Sequence, residues 1–380
     1  MFKTSQHIPL CLYLIINILF VDKYAARITD FHWIVALFYL FGAIFTILFI
    51  TKRIANSAYN TRWEVGLAII FLFVGIGIQY ALDPYAIKVD RWSAIHNFLA
   101  TMLQGDYPYG ASTHLGGYGS PFPVWQLFHL PFYAIGNVGL SIFVVTIAFI
   151  ATLHYFYSSK TALIAILLLG ISPAFWYEIA VRSDLITNML LVATIAEWLT
   201  QKQIKLNQYP ILLGVLSGLV LSTRLIAIIP LCVVYGYEFL QIGWKKQLLF
   251  ILTTIVIFAL TFLPFLLWNG STLLFFEYNP FVLQTRQGSG LVLLIFAIIA
   301  IGVTLYAKGN HQYRLVITGL LLTLLVVMAF VEKMWQLNLW NGLFSSAFDI
   351  TYLSTALPFY IAYVSCSIQS NKQLYHLTRE

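Results

Sequence analysis

Charged residues make up only 9% of this 380-residue chain, against about 25% in soluble domains. That deficit excludes a soluble globular protein, because a water-facing surface needs far more charge than the chain holds. Cysteine is sparse as well. Cys11, Cys232 and Cys366 are odd in number and each lies in an apolar run. They exclude a disulfide framework and lack metal-ligand spacing, so buried free thiols are expected. The phosphate-binding patterns GxxxxGK[ST] and GxGxxG are missing, which argues against a nucleotide site. His96, His114 and His129 have no metal-ligand spacing either. There is no internal repeat, no low-complexity tract and no long linker, so residues 1–380 read as a single domain.

What the chain does have is hydrocarbon. It is 60% hydrophobic and 17% aromatic, the composition of an integral membrane protein with Tyr and Trp in interfacial belts. A span needs roughly 20 apolar residues to cross a core about 30 Å thick. About twelve segments qualify or come close: 8–21, 31–51, 63–82, 138–157, 161–175, 185–200, 209–223, 225–240, 247–267, 290–306, 315–331 and 350–367. The expected fold class is therefore all-α, a polytopic transmembrane helical bundle with a juxtamembrane helix loop on its outer side. The first apolar run has no small-x-small cleavage site after it and is expected to stay as a span.

One apolar segment, 122–136, is expected not to cross. Pro121, Pro123 and Pro131 break it, and at 1.5 Å per residue it falls short of the core. Charge supports this. With that segment on one side, Lys52, Arg53, Lys202, Lys205, Lys245, Lys246, Lys372 and Arg379 all face the cytoplasm, as the positive-inside rule prefers. Both termini are then cytoplasmic, and the plasma (inner) membrane is the expected location. The net charge of +7 belongs to span orientation, not to nucleic acid. Most acidic residues, including Asp83, Asp90, Asp106, Glu178, Asp184, Glu277 and Asp349, fall on the outer side in this topology.

The long polar interruption at 83–121 is the first large outer loop. Over 88–104 it reads as an amphipathic helix lying in the interface. Asp90, Ala94, Asn97, Thr101 and Gln104 share one face, and Trp92, Ile95, Leu99 and Met102 the other. Asp90 stands near the helix N-terminus, where the dipole favours a carboxylate; it either caps the helix or does chemistry. After it come GDYPYG and THLGGYGSP, a turn-rich rim whose Tyr107, Tyr109 and Tyr118 offer flat faces of the kind that stack on sugars.

A membrane span, an outward loop with an early Asp, an interfacial helix, a G-x-YPY turn and a proline-led apolar segment together resemble the GT-C superfamily of polytopic glycosyltransferases. Protein O-mannosyltransferases and aminoarabinose transferases belong to it. The resemblance implies a sugar donor on a polyprenyl phosphate, a lipid, glycan or protein acceptor, and no nucleotide. It leaves a divalent metal ion open as cofactor. It also implies that a first-loop Asp about fifteen residues before a Gly-aromatic-Pro turn is the catalytic acid or base. That role falls on Asp90, fifteen positions before Gly105, with Asp83 the less well placed alternative. The chain departs from the family in having Asp90-Arg91 for the usual Asp-Glu pair, and the large soluble C-terminal domain that some members carry is not expected here.

Other outer segments supply further candidates. In SPAFWYEIAVRSDLITN, Glu178 and Arg182 stand at i and i+4 and could pair on a helix, and Asp184 is a second acid for catalysis. Arg224 lies between two short spans, where an unpaired cation is costly, so a phosphate or an outer carboxylate is its natural partner. Arg91, Glu178, Arg182, Arg224, Arg286 and Gln287 are candidates for binding substrate, Arg182, Arg224, Arg286 and Gln287 among them for the lipid phosphate, and Glu277 for the acceptor side. Two rival classes remain open: a transporter or lipid flippase, which would want ionisable residues at mid-span, and a non-catalytic membrane assembly protein.

Overall fold

The computed structural model describes residues 4–56, 61–275, 277–286, 288–306, 311–345 and 348–377. Among them the regular structure is helical, apart from one isolated bridge between Ser112 and Tyr118. The chain begins with α1 (Thr4–Ala25), α2 (His32–Asn56) and α3 (Thr61–Ala81). The polar loop carries α4 (Arg91–Leu103), and the proline-rich segment after it folds as α5 (Pro123–Phe128) and α6 (Leu130–Ala134). Next come α7 (Ser141–Phe156), α8 (Ser159–Gly170), α9 (Pro173–Ala180), α10 (Leu185–Gln201), α11 (Pro210–Leu221) and α12 (Ile228–Gln241). The last third holds α13 (Trp244–Leu274), α14 (Pro280–Thr285), α15 (Gly290–Tyr306), α16 (His311–Leu337), α17 (Leu339–Phe344) and α18 (Leu357–Leu377).

Among the described residues six helices are long and apolar enough to cross a membrane, or seven if α8 and α9 form one bent span. The protein is an all-helical, polytopic integral membrane protein. Helices α2 and α13 expose large apolar side chains, among them Phe38, Phe41 and Leu267, as lipid-facing surfaces do. Some of the twelve apolar segments differ in form from a straight span. The 161–175 run breaks into α8 and α9 at a 70° bend. Ser172 starts the new helix by accepting a hydrogen bond from Phe175 N at 3.3 Å, and Pro173 at its first position has no N–H to lose. The 350–367 run opens as a 3₁₀ helix, Ile350–Ala356, before α18 begins.

The largest core cluster joins Tyr13, Ile16 and Phe20 of α1 to Phe149, Leu169, Phe175, Leu190, Leu322 and Tyr360 of six other helices. A second cluster lies under the polar loop. Trp92, Ile95, Phe98 and Leu99 of α4 pack there on Tyr109, Phe122, Trp125, Phe262 and Phe265. Each such side chain contributes roughly 1.5–3 kcal/mol when buried. The apolar stripe of α4 is therefore spent on the bundle, which sets the rotation of the helix about its axis and with it the direction of Asp90.

Helices α11 and α13 meet through Gly214 and Gly218. A Cβ on Gly218 would sit 2.8 Å from both Thr254 O and Ile257 Cβ, so the helices approach at backbone distance. Gly218→Ala must push them apart, at a cost of about 1–3 kcal/mol. Thermal unfolding in detergent should show a lower midpoint for this variant. Gly66→Ala, where nothing lies within 4 Å of the added carbon, should melt like the parent.

Candidate functional site

Asp90 precedes the first turn of α4, with φ −100° and ψ 2°. Its carbonyl accepts from Ala94 N at 2.9 Å and from Ser93 Oγ at 2.9 Å. Its side chain makes no capping hydrogen bond to the helix. Instead Oδ2 accepts from Thr113 Oγ1 at 2.9 Å. Thr113 is held by a tight turn: its N–H donates to Gly117 O at 2.7 Å, and Gly117 N donates to its hydroxyl oxygen at 3.0 Å. A Cβ on Gly117 would lie 3.0 Å from Asp90 Oδ2, so the turn reaches the carboxylate only because that position has no side chain. Among the described residues Asp90 forms no ion pair.

Arg91 points the other way, into the bundle. Its Nη1 donates to Ser183 Oγ at 2.9 Å and to Glu178 Oε1 at 3.4 Å. Its Nη2 donates to Asp349 Oδ2 and Thr351 Oγ1, and the ring of Tyr352 lies 5.4 Å from the guanidinium carbon. Burial alone would lower the Arg91 pKa, but Asp349 and Glu178 outweigh it and the group is raised. Burial likewise opposes ionisation of Asp349, yet Arg91 and the Thr351 hydrogen bonds hold its carboxyl below the usual range. Lys23 of α1 donates to Phe348 O at 3.0 Å and Ser345 O at 3.2 Å, next to that carboxylate.

A second buried pair lies beside the first. Asp184, which precedes α10, accepts through Oδ2 from Arg224 Nε at 2.9 Å and from Trp125 Nε1 at 2.6 Å. Both side chains are under 5% exposed. Burial would raise the Asp184 carboxyl, and Arg224 more than reverses it. A buried charge left alone costs several kcal/mol, which is why the cation between α11 and α12 has drawn in a carboxylate. Leu225 N donates to Gln284 Oε1 at 2.7 Å, and Gln284 Nε2 reaches Ser120 O at 2.7 Å, which ties α14 to the rim.

The other sequence candidates fall out as follows. Asp83 is exposed and accepts from Tyr85 N at 3.0 Å, the geometry of a turn. The pairing of Glu178 with Arg182 does not form. Helix α9 ends at Ala180, Arg182 takes φ 51°, and its guanidinium donates to Gln79 O and Leu82 O at the end of α3. Glu178 is left for Arg91. Tyr109 is 1% exposed and offers no face to a sugar; Tyr107 is half-buried. Glu277 and Arg286 are exposed, and Gln287 lies outside the described residues. Asp349, Thr113 and Ser183 are the participants that motif reading missed. An Asp followed two residues later by Thr is an Asx-turn signal, which marks a turn and not a partner for Arg91.

Together, fold and site define a helical membrane protein that organises buried charge around a short helix in its largest polar loop. No protein-family model matches the chain, and no curated protein sequence does. Among solved structures, the fold is similar to the crystal structure of ArnT from Cupriavidus metallidurans bound to undecaprenyl phosphate. The TM-score is 0.48 and the identity 12%, over 84% of this chain and 63% of that one. This chain thus spans less than two thirds of the length of that protein.

His129, between α5 and α6, borders the Asp184 pair. Its Nδ1 donates to Trp125 O at 2.7 Å, and its Nε2 lies 3.0 Å from Ser141 Oγ and can accept from it. Burial pushes the imidazole down to about 4, so the folded protein holds it neutral. As pH falls from about 6.5, the unfolded chain takes up a proton that the folded chain refuses until near 4. Stability from this group is therefore full above that window and lost within it, by roughly 2–3 kcal/mol near pH 4.5. Melting in detergent across this range should show a shallower pH dependence for His129→Gln than for the parent. Equal slopes would remove His129 as the cause.

Proposed function

We propose that the protein is a membrane glycosyltransferase of the GT-C type. It moves a sugar from a polyprenyl-phosphate donor to an acceptor hydroxyl at the extracytoplasmic face, with Asp90 as general base. The observation that carries this reading is the state of the Asp90 carboxylate. It does not cap its helix, no cation among the described residues neutralises it, and one neutral hydroxyl orients it. Those are the needs of a base, which must be ionised, oriented and open to a proton.

In this mechanism the acceptor O–H gives its proton to Asp90 as its oxygen attacks the anomeric carbon. The bond from that carbon to the phosphate oxygen breaks, and the lipid phosphate leaves with the electron pair and inverted stereochemistry results. Among the sequence-derived arginines, Arg224 is engaged by Asp184 and Arg182 by backbone carbonyls. That leaves exposed Arg286 to meet the departing phosphate, a task suited to a guanidinium. Both termini lie in the cytoplasm and the donor chain lies among the helices.

The transporter reading draws on a different feature. Glu197 of α10 is wholly buried and accepts from His311 Nε2 at 2.7 Å and Tyr157 OH at 3.0 Å. A transporter would depend on that pair and not on Asp90.

The test is transfer by the purified chain from a panel of undecaprenyl-phosphate-linked hexoses and pentoses to a mixed lipid and glycan acceptor pool. Asp90→Asn should reduce transfer by about 10²–10⁴-fold while eluting as a folded protein, and Thr113→Val should lower it less. Full activity in Asp90→Asn would sink the assignment.

A further inference from the structure

We infer that Arg91 is a positioning residue for Asp90 rather than a ligand for substrate phosphate, and that Asp349, some 258 residues away in sequence, acts on the reaction through it. This rests on the reading of Asp90 as the base.

Both Nη groups of Arg91 are already engaged. Nη1 serves Glu178 and Ser183, Nη2 serves Asp349 and Thr351, and the Arg91 side chain is 13% exposed. A phosphate could recruit this guanidinium only by stripping it from two carboxylates, one of them 0% exposed. Leaving a buried carboxylate unpaired is strongly unfavourable. The arginine is therefore a fixed part of the scaffold.

Its partners come from separate parts of the chain. Glu178 is on α9, Ser183 lies before α10, and Asp349 and Thr351 lie at the start of the 3₁₀ turn before α18. Helix α1 holds two of these from behind. Asn17 Oδ1 accepts from Ser172 Oγ at 2.6 Å and Ala174 N at 3.2 Å, capping the helix that carries Glu178. Lys23 binds the carbonyls of Ser345 and Phe348, which fixes the backbone just before Asp349.

Arg91 immediately follows Asp90, so a guanidinium fixed at four points fixes the backbone of the first turn of α4. Thr113 then selects the direction of the Asp90 carboxylate. The backbone constraint comes from the bundle and the side-chain constraint from the rim. An error in either displaces the base, and a misplacement of about 1 Å can cost on the order of 100-fold in rate.

Carboxyl labelling of the full chain in detergent, with a water-soluble carbodiimide and glycine ethyl ester read by mass spectrometry, tests this without needing activity. Asp106, exposed on the same loop, is the internal reference. In Asp349→Asn and in Arg91→Lys, which keeps the charge, labelling of Asp90 should change by at least about threefold relative to Asp106. The double variant should match Arg91→Lys alone, because contacting residues are non-additive. Where the wild type transfers a sugar from the undecaprenyl-phosphate panel, both single variants should lose kcat by roughly 10- to 100-fold with donor KM unchanged. If the wild type transfers nothing, the glycosyltransferase reading fails while the labelling still decides the clamp. Unchanged Asp90 labelling in folded Asp349→Asn overturns the inference. So does a raised donor KM with kcat intact, which would make Arg91 a substrate ligand.

Discussion

Glu178 and Asp349 are carried by elements far apart in sequence, and Arg91 holds them close together, Glu178 wholly buried and Asp349 only partly so. Taking a carboxylate out of water costs several kcal/mol unless a well-placed cation and hydrogen bonds answer it. The guanidinium reaches Asp349 directly and Glu178 at 3.4 Å. The backbone N–H groups of Thr351 and Ile186 add hydrogen bonds to Asp349 and Glu178 respectively, and Ser183 and Thr351 take further Arg91 donors. This interaction joins the polar loop to α9 and to the turn before α18. Without it, the first turn of α4 would rest on the bundle chiefly through apolar contacts, which resist removal but fix orientation poorly, while the rim would keep its hydrogen bond from Gln284 Nε2 to Ser120 O. The neighbouring Asp184–Arg224 pair does the same for α10 and the α11–α12 turn, with Trp125 of α5 as a third partner.

Beside these two neutralised networks, Asp90 is the exception. It borders a cation in sequence that has turned away from it, and its own carboxylate is steered by a threonine hydroxyl. Among the described residues Glu178, Asp184 and Asp349 sit in ion pairs. Asp90, like the exposed Asp83 and Asp106 of the same loop, does not, but of those three it alone is partly buried and stands at the start of an amphipathic helix whose apolar face is buried. That contrast separates a structural acid from a candidate base more sharply than its position in the loop does.

The fold class was legible because long uncharged apolar runs have few alternatives to membrane helices. The proline cluster at 121–131 likewise announces short helices, since a ring without an N–H cannot sit inside a long one. The bend at Ser172-Pro173 had the same kind of signal, but the apolar run continues through it and hydropathy hid the break. At the site, Asp90 and its loop could be picked out locally. The partner of Arg91 could not, because nothing near residue 349 states which of several outer cations it will meet. The Glu178–Arg182 pairing failed for a local reason: i,i+4 spacing matters only while the helix continues, and α9 stops two residues before Arg182. Arg224 shows the opposite case. Its isolation in an apolar stretch demanded a partner on energetic grounds, although the identity of that partner, Asp184, came only with the tertiary structure.

The central claim is that Asp90 is a free base held by a fixed arginine. A cryo-electron microscopy structure of the full chain in nanodiscs containing undecaprenyl phosphate tests it most directly. The account predicts the lipid phosphate on the Asp90 side of α4, with that carboxylate still unpaired by any cation and Arg91 still on Glu178 and Asp349. A phosphate bound by a swung-out Arg91, or an Asp90 carboxylate closed off in an ion pair, would contradict it.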